Sequence, residues 1–152
     1  MTSSIAGSLD ANVVLRLLLN DIPKQVEAID QLFLTASGPF QIADTALIEV
    51  VFVLGRNYEF TRPQIAEAVQ GLIALSSISC NRVLFERALP LFVAHPSLSF
   101  EDCCLSVYAK LQAATPLWTF DKKLAKQAPG VRLVPIDSHG QRAGESVTNV
   151  HE

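Results

Sequence analysis

Residues 99–124, SFEDCCLSVYAKLQAATPLWTFDKKL, decide the fold, because they hold a helix, a buried strand and the start of another helix in succession. Pro116 ends the helical segment, and Leu117–Thr119 is short and apolar enough for a strand. Asp102 lies just inside the first helix and Asp121 just beyond the strand. This unit therefore predicts parallel strands joined by helices, with a carboxylate at each end.

The rest of the chain of 152 residues repeats this alternation of short strands and helical segments. The pattern predicts an α/β fold, a three-layer α/β/α sandwich with a small central parallel sheet. Residues 1–136 are expected to form one domain, and residues 137–152, which are polar and aperiodic, a C-terminal tail. Ligand sites of such sheets lie beyond the carboxyl ends of the strands.

Two further acids occupy unusual positions. Asp10 follows an N-terminal strand, and Glu49 stands in the apolar run ALIEVVFVL, residues 46–54. A helix that is apolar nearly all round is expected to be buried, where a carboxylate needs a cation or a proton. No lysine or arginine stands three or four positions from Glu49. We therefore expect Glu49 to share a metal ion with Asp10. Purely local roles stay open for all four acids: Asp102 and Asp121 as helix caps, Asp10 as a turn residue, and Glu49 in a local structural role.

A group of carboxylates favours a hard cation, so the expected cofactor is Mg²⁺ or Mn²⁺ rather than zinc. The three cysteines, Cys80, Cys103 and Cys104, show no CxxC spacing and are expected to be small buried residues. The net charge of −3 argues against a protein that coats nucleic acid generally. It is compatible with an enzyme that grips a short stretch, for which Lys122 and Lys123 are the best phosphate-binding candidates.

These residues resemble a PIN domain, and more closely the ribonuclease toxins of VapBC toxin–antitoxin pairs. The resemblance covers about Ile5 to Val134. It rests on four motifs in order, LDANVVLRLLLND (residues 9–21), DTALIEVVFVL (44–54), SFEDCCLSVYAKL (99–111) and LWTFDKKLAK (117–126). The adjacent cysteines of the third motif depart from the small aliphatic residues that are usual there.

The resemblance implies a PIN-like sandwich in which an acidic quartet holds the metal and two polar residues orient acids or water. The quartet corresponds to Asp10, Glu49, Asp102 and Asp121, and the polar pair to Asn12 and Thr119. The implied function is that of a VapC-like toxin, a metal-dependent endoribonuclease in which a metal-activated water hydrolyses RNA phosphodiester bonds.

The same resemblance implies homodimerisation through the early helices and a cognate VapB-like antitoxin that occludes the acidic cleft. The apolar faces of Val13–Leu19 and Ala46–Leu54 could supply such contacts. The apolar runs fall short of the roughly 20 residues of a membrane span, and the N-terminus lacks the features of a signal peptide. We therefore expect a cytoplasmic protein without a membrane partner.

Two other functions remain open on the sequence. One is a PIN-fold RNA- or protein-binding module with little or no nuclease activity. The other is a metal-dependent phosphohydrolase of small substrates, although Asn12 replaces the second aspartate of the D-x-D motif that aspartyl-phosphate enzymes use.

Overall fold

The computed structural model describes residues 4–137. The helices are α1 (Ala11–Leu19), α2 (Pro23–Thr35), α3 (Asp44–Asn57), α4 (Arg62–Ile73), α5 (Arg82–Ala94), α6 (Phe100–Leu111) and α7 (Lys122–Gln127). The strands are β1 (Gly7–Ser8), β2 (Phe40–Gln41), β3 (Ile78–Ser79), β4 (Leu117–Thr119) and β5 (Val131–Leu133). The tail predicted for residues 137–152 lies, except for Asp137, outside the described residues.

All strand pairs in residues 4–137 are parallel, which confirms the predicted α/β class with a layered α/β/α arrangement. β1, β2 and β3 form a three-stranded sheet with β2 in its centre, and β4 pairs with β5 as a separate two-stranded sheet. The single small sheet expected from the sequence is thus divided into two parallel groups over this part of the chain. Helices connect successive strands, as parallel pairing requires.

Helix α3 lies at the centre of the packing, in contact with α1, α4 and α6. Its residues Leu47, Val50 and Leu54 are fully buried, as is Val14 of α1. The apolar faces that were predicted to supply partner contacts thus serve partly in the protein's own core, whereas Leu17, Leu18 and Leu19 of α1 are only half-buried. No helix within residues 4–137 has both the length and the hydropathy needed to cross a bilayer.

Local signals explain where several helices begin. Thr61 caps α4 in a reciprocal box: its hydroxyl accepts from the Gln64 N–H, and the Gln64 side chain accepts from the Thr61 N–H. Ser99 caps α6 by accepting a hydrogen bond from the Asp102 N–H at 3.1 Å. The Ser99 cap fixes the start of α6, where the candidate site residue Asp102 stands.

Candidate functional site

Asp10 lies where β1 meets α1. The Leu9 N–H donates to the Gln41 carbonyl at 2.8 Å, so strand pairing continues to the residue before it. Asp10 is the N-cap of α1, and its Oδ1 accepts from the Val13 N–H at 3.0 Å. Asn12 lies inside the first turn of α1 and is exposed.

Asp121 repeats this arrangement at the end of β4. It is the N-cap of α7, and its Oδ1 accepts from the Leu124 N–H at 3.1 Å. Its own N–H donates to the Thr119 hydroxyl at 2.9 Å, so Thr119 orients the backbone of this acid. Within residues 4–137, Oδ2 of Asp10 and Oδ2 of Asp121 accept no hydrogen bond, which leaves one oxygen of each exposed carboxylate for a ligand.

Asp102 is half-buried in the first turn of α6. The next two residues, Cys103 and Cys104, are buried, as predicted. Burial raises the pKa of the Cys103 thiol to about 11, although Arg62 acts in the opposite direction. Burial raises the pKa of the Cys104 thiol to about 12, and Cys103, Asp44 and Glu101 add to that effect. Both side chains are thus neutral thiols at pH 7.

Glu49 is exposed, so the expectation that it is buried in an apolar helix is wrong. Val50 and Val51 face the core, whereas Phe52, 56% exposed, remains on the outer face of α3 with Glu49. The Arg56 guanidinium lies 5.8 Å from the centre of the Phe52 ring. The exposed carboxylate therefore needs no metal for its own solvation, and only the resemblance still connects Glu49 with a metal.

Three of the candidate residues, Glu49, Asp10 and Asn12, line two different concavities. A cavity of about 610 Å³ between α3, α4 and the start of α6 has Glu49 and Glu101 in its lining, together with the cations Arg56 and Arg62. A shallower groove of about 320 Å³ between α1 and α2 contains Asp10 and Asn12, together with Arg16. Arg16 is paired with Asp21, and the distance between the guanidinium nitrogen and the carboxylate oxygen is 2.8 Å.

Within residues 4–137, no three His, Cys, Asp or Glu side chains come together in a group that could hold a metal ion. The convergence of all four acids on one ion therefore stays a prediction. Their chemistry fits Mg²⁺, which typically binds one or two carboxylates and retains several waters. Asp10 and Asp121 differ from the other two acids in that a helix N–H holds one carboxylate oxygen while the other oxygen is left over.

Asp44 is a polar residue at a strand end that the sequence patterns indicated only as the start of a helix. It follows the central strand β2, is half-buried, and accepts a hydrogen bond from Asn81 Nδ2 at 3.4 Å. Asn81 in turn follows β3, so this bond joins the ends of two neighbouring strands. The rule that placed Asp10, an acid directly after a strand, would have found Asp44 as well.

Arg62, the first residue of α4, was also missed. One nitrogen of its guanidinium, Nη1, donates to the carbonyls of Phe92 at 2.8 Å, His95 at 3.2 Å and Leu98 at 2.7 Å. The guanidinium carbon also lies 4.0 Å from the centre of the Phe92 ring. Arg62 thereby holds the connection between α5 and α6, which ends at Ser99. Its acceptors lie 30 to 36 residues further along the chain, so no local pattern could reveal them.

Comparisons with known proteins give little beyond this geometry. No protein-family model matches the chain, and no curated protein matches it. One solved structure that is similar is described as "Toxin-antitoxin complex from Klebsiella pneumoniae". It is 19% identical, the alignment covers 87% of this chain and 97% of that one, and the TM-score is 0.30. A similarity of this size assigns neither fold nor function, so the functional conclusion depends on the residues themselves.

Proposed function

We propose that the protein is a divalent-metal-dependent endoribonuclease, the toxin component of a toxin–antitoxin pair. The observation that carries the proposal is the matched geometry of Asp10 and Asp121. Each follows a parallel strand, caps the next helix with Oδ1, and leaves Oδ2 without a partner among the described residues. The PIN-domain resemblance predicts acids at these two positions, and their placement is compatible with it.

The chain's own groups would divide the work as follows. Asp10 and Asp121 are held by helix N–H groups, so their carboxylates are oriented before any ligand arrives. Thr119 fixes the backbone of Asp121, and Asp102 supplies a third carboxylate at the start of α6. A bound Mg²⁺ or Mn²⁺ would lower the pKa of a water and stabilise charge on the phosphodiester.

The remaining elements of the proposal rest on the resemblance alone. They are a contribution of Glu49 and Asn12 to the site, a VapB-like antitoxin that covers the acids, and homodimerisation, whereas the expected cytoplasmic location rests on the sequence. Products of the reaction would carry a 5′-phosphate and a 3′-hydroxyl. The exposed face of α3 around Phe52 is available for a protein partner.

A second candidate function is an RNA- or protein-binding module with little or no nuclease activity. The observation that favours it is that residues 4–137 contain no group of three potential metal ligands. Such a module would bind its partner equally well with and without a divalent metal.

One experiment separates the two functions. Purified protein is incubated with a fluorescently labelled single-stranded RNA in Mg²⁺, in Mn²⁺ and in EDTA, and the products are resolved on a denaturing gel. We expect cleavage with either metal and none in EDTA. The ends of the products are then tested with a 5′-phosphate-dependent exonuclease. Intact RNA under all three conditions, with Mn²⁺ binding undetectable by calorimetry, would leave the binding module as the better description.

A further inference from the structure

The unit β4–α7–β5, residues 117–133, carries a charge opposite to that of the rest of the chain. We name it the basic arm. Its cations are Lys122, Lys123, Lys126 and Arg132, and its single carboxylate is Asp121, which gives a net charge of +3. Because the whole chain carries −3, the remainder carries −6. The local charge therefore favours an anionic ligand at this place.

The basic arm also exposes two large aromatic side chains. Trp118 in β4 is 53% exposed, and Phe120, directly after the strand, is 68% exposed. Positions two apart along an extended chain lie on the same face. Arg132 is directly opposite Trp118 in the parallel register, so it belongs to that face as well. An aromatic pair with a neighbouring guanidinium thus stands open to solvent.

The opposite face of the same strands is used by the fold. Val131 is buried and Leu117 is half-buried, and α6 and α7 contact β4. The exposed aromatic residues are therefore not the consequence of a loosely attached strand. Burying an aromatic ring contributes substantially to stability, so two rings left outside an anchored strand indicate a surface that a ligand covers.

We infer that this face is a stacking platform for unpaired nucleotides of an RNA. The inference rests on the proposed function and names the form of its substrate. Bases stack on Trp118 and Phe120, while Arg132, Lys122 and Lys123 hold the phosphates. In a duplex the base faces are already stacked on each other, so the platform selects single-stranded or looped RNA. Phe120 precedes Asp121 directly, so the adjacent phosphate lies close to a candidate catalytic acid.

The platform is testable because Trp118 is the protein's only tryptophan. Its fluorescence is titrated with a 12-nucleotide oligouridylate and with a 12-base-pair RNA duplex, in EDTA so that cleavage plays no part. We expect saturable quenching by the single strand and at least about tenfold weaker binding of the duplex. Raising the salt concentration should weaken binding of both, since phosphate contacts release counterions.

Phe120→Ala is the decisive variant, and Tyr108→Ala on α6 is its matched control, because Tyr108 is an aromatic residue of similar exposure, 48%, outside the arm. We expect Phe120→Ala to weaken oligouridylate binding about tenfold, the loss of one base–aromatic stack, and Tyr108→Ala to leave it unchanged. Circular dichroism confirms that both variants fold.

Three results would overturn the platform. The first is that Phe120→Ala and Tyr108→Ala weaken oligouridylate binding equally, and the second is that the protein binds the single strand and the duplex with equal affinity. The third is a Trp118 emission that responds to protein concentration but not to RNA, which would identify the face as a contact between two copies of the chain. The proposed function fails separately. Quenching without cleavage in Mg²⁺ rejects the nuclease and keeps the platform, whereas cleavage without quenching keeps the nuclease and rejects the platform.

Discussion

Asp10 and Asp121 make the same N-cap, but the helices that they cap, α1 and α7, differ greatly in how much of their surface is packed against the core. Asp10 caps a helix of 9 residues whose Val14 and Leu15 are buried in the main core. Asp121 caps a helix of 6 residues in which Leu124 is the buried residue. The helix that carries Asp10 is thus held by packing, whereas Asp121 is held mostly by two hydrogen bonds: its N–H donates to the Thr119 hydroxyl, and its Oδ1 accepts from the Leu124 N–H. Equal cap geometry does not imply equal rigidity.

The largest effect on RNA cleavage is expected for a substitution of Asp10, whose helix is the better packed of the two. Asp10→Asn removes the charge but keeps a good N-cap, so the fold should be retained. If the carboxylate binds the metal, RNA cleavage should fall on the order of 100-fold or more. Cleavage of labelled RNA in Mg²⁺ measures this, with thermal unfolding as the check on the fold.

The matched control for Asp10→Asn is Asp30→Asn, because Asp30 is an exposed aspartate of α2 that caps no helix. We expect its cleavage rate to equal that of the wild type. A rate of Asp10→Asn within a factor of two of this control would remove Asp10 from the site.

In the basic arm, substitutions of Asp121 are expected to affect both stability and RNA cleavage. Asp121→Ala removes both cap and charge and should cost about 1 kcal/mol of stability, whereas Asp121→Asn removes only the charge. If Asp121 acts in catalysis, both variants lose activity and only the alanine variant unfolds more easily. Urea unfolding and RNA cleavage, measured on the same samples, separate the two roles. Full activity in Asp121→Asn would leave Asp121 as a cap alone.

The smallest effect at neutral pH is that of the buried thiols of α6 on stability. This helix contacts both α3 and β4 and so links the two regions. The pKa of Cys103 rises from 9.0 to about 11 and that of Cys104 to about 12 on burial. Above pH 9 the unfolded chain loses thiol protons that the folded protein retains, so stability falls as pH rises. It should be unaffected by these thiols below pH 9.

Unfolding by urea at pH 8, 9, 10 and 11 measures this decline, with Cys104→Ala as the comparison. That variant is expected to begin from a lower stability, because a buried side chain is shortened, but to lose less with each unit of pH. A decline of the same steepness in both proteins would show that other groups cause it.

The sequence predicted the strand-end acids because their signals are local. A strand followed by an aspartate and a helical pattern is enough to place Asp10 and Asp121. The N-caps Thr61 and Ser99 are likewise recognisable from the residues that follow them in the sequence. The exposure of Glu49 was missed, because hydropathy does not tell which residues of an apolar helix lie on its solvent-facing side. On α3 the apolar Phe52 lies on that side together with Glu49. The division into two sheets depends on contacts between distant strands, which no local pattern encodes.

Arg62 has a consequence for how the molecule opens. Its guanidinium joins α4 to three carbonyls between Phe92 and Leu98, so the segment before α6 cannot come loose without breaking bonds to α4. Amide protons at the start of α6 should therefore exchange with solvent together with those of α4, as one cooperative unit. The position of Asp102 would then depend on a residue 40 places earlier in the chain.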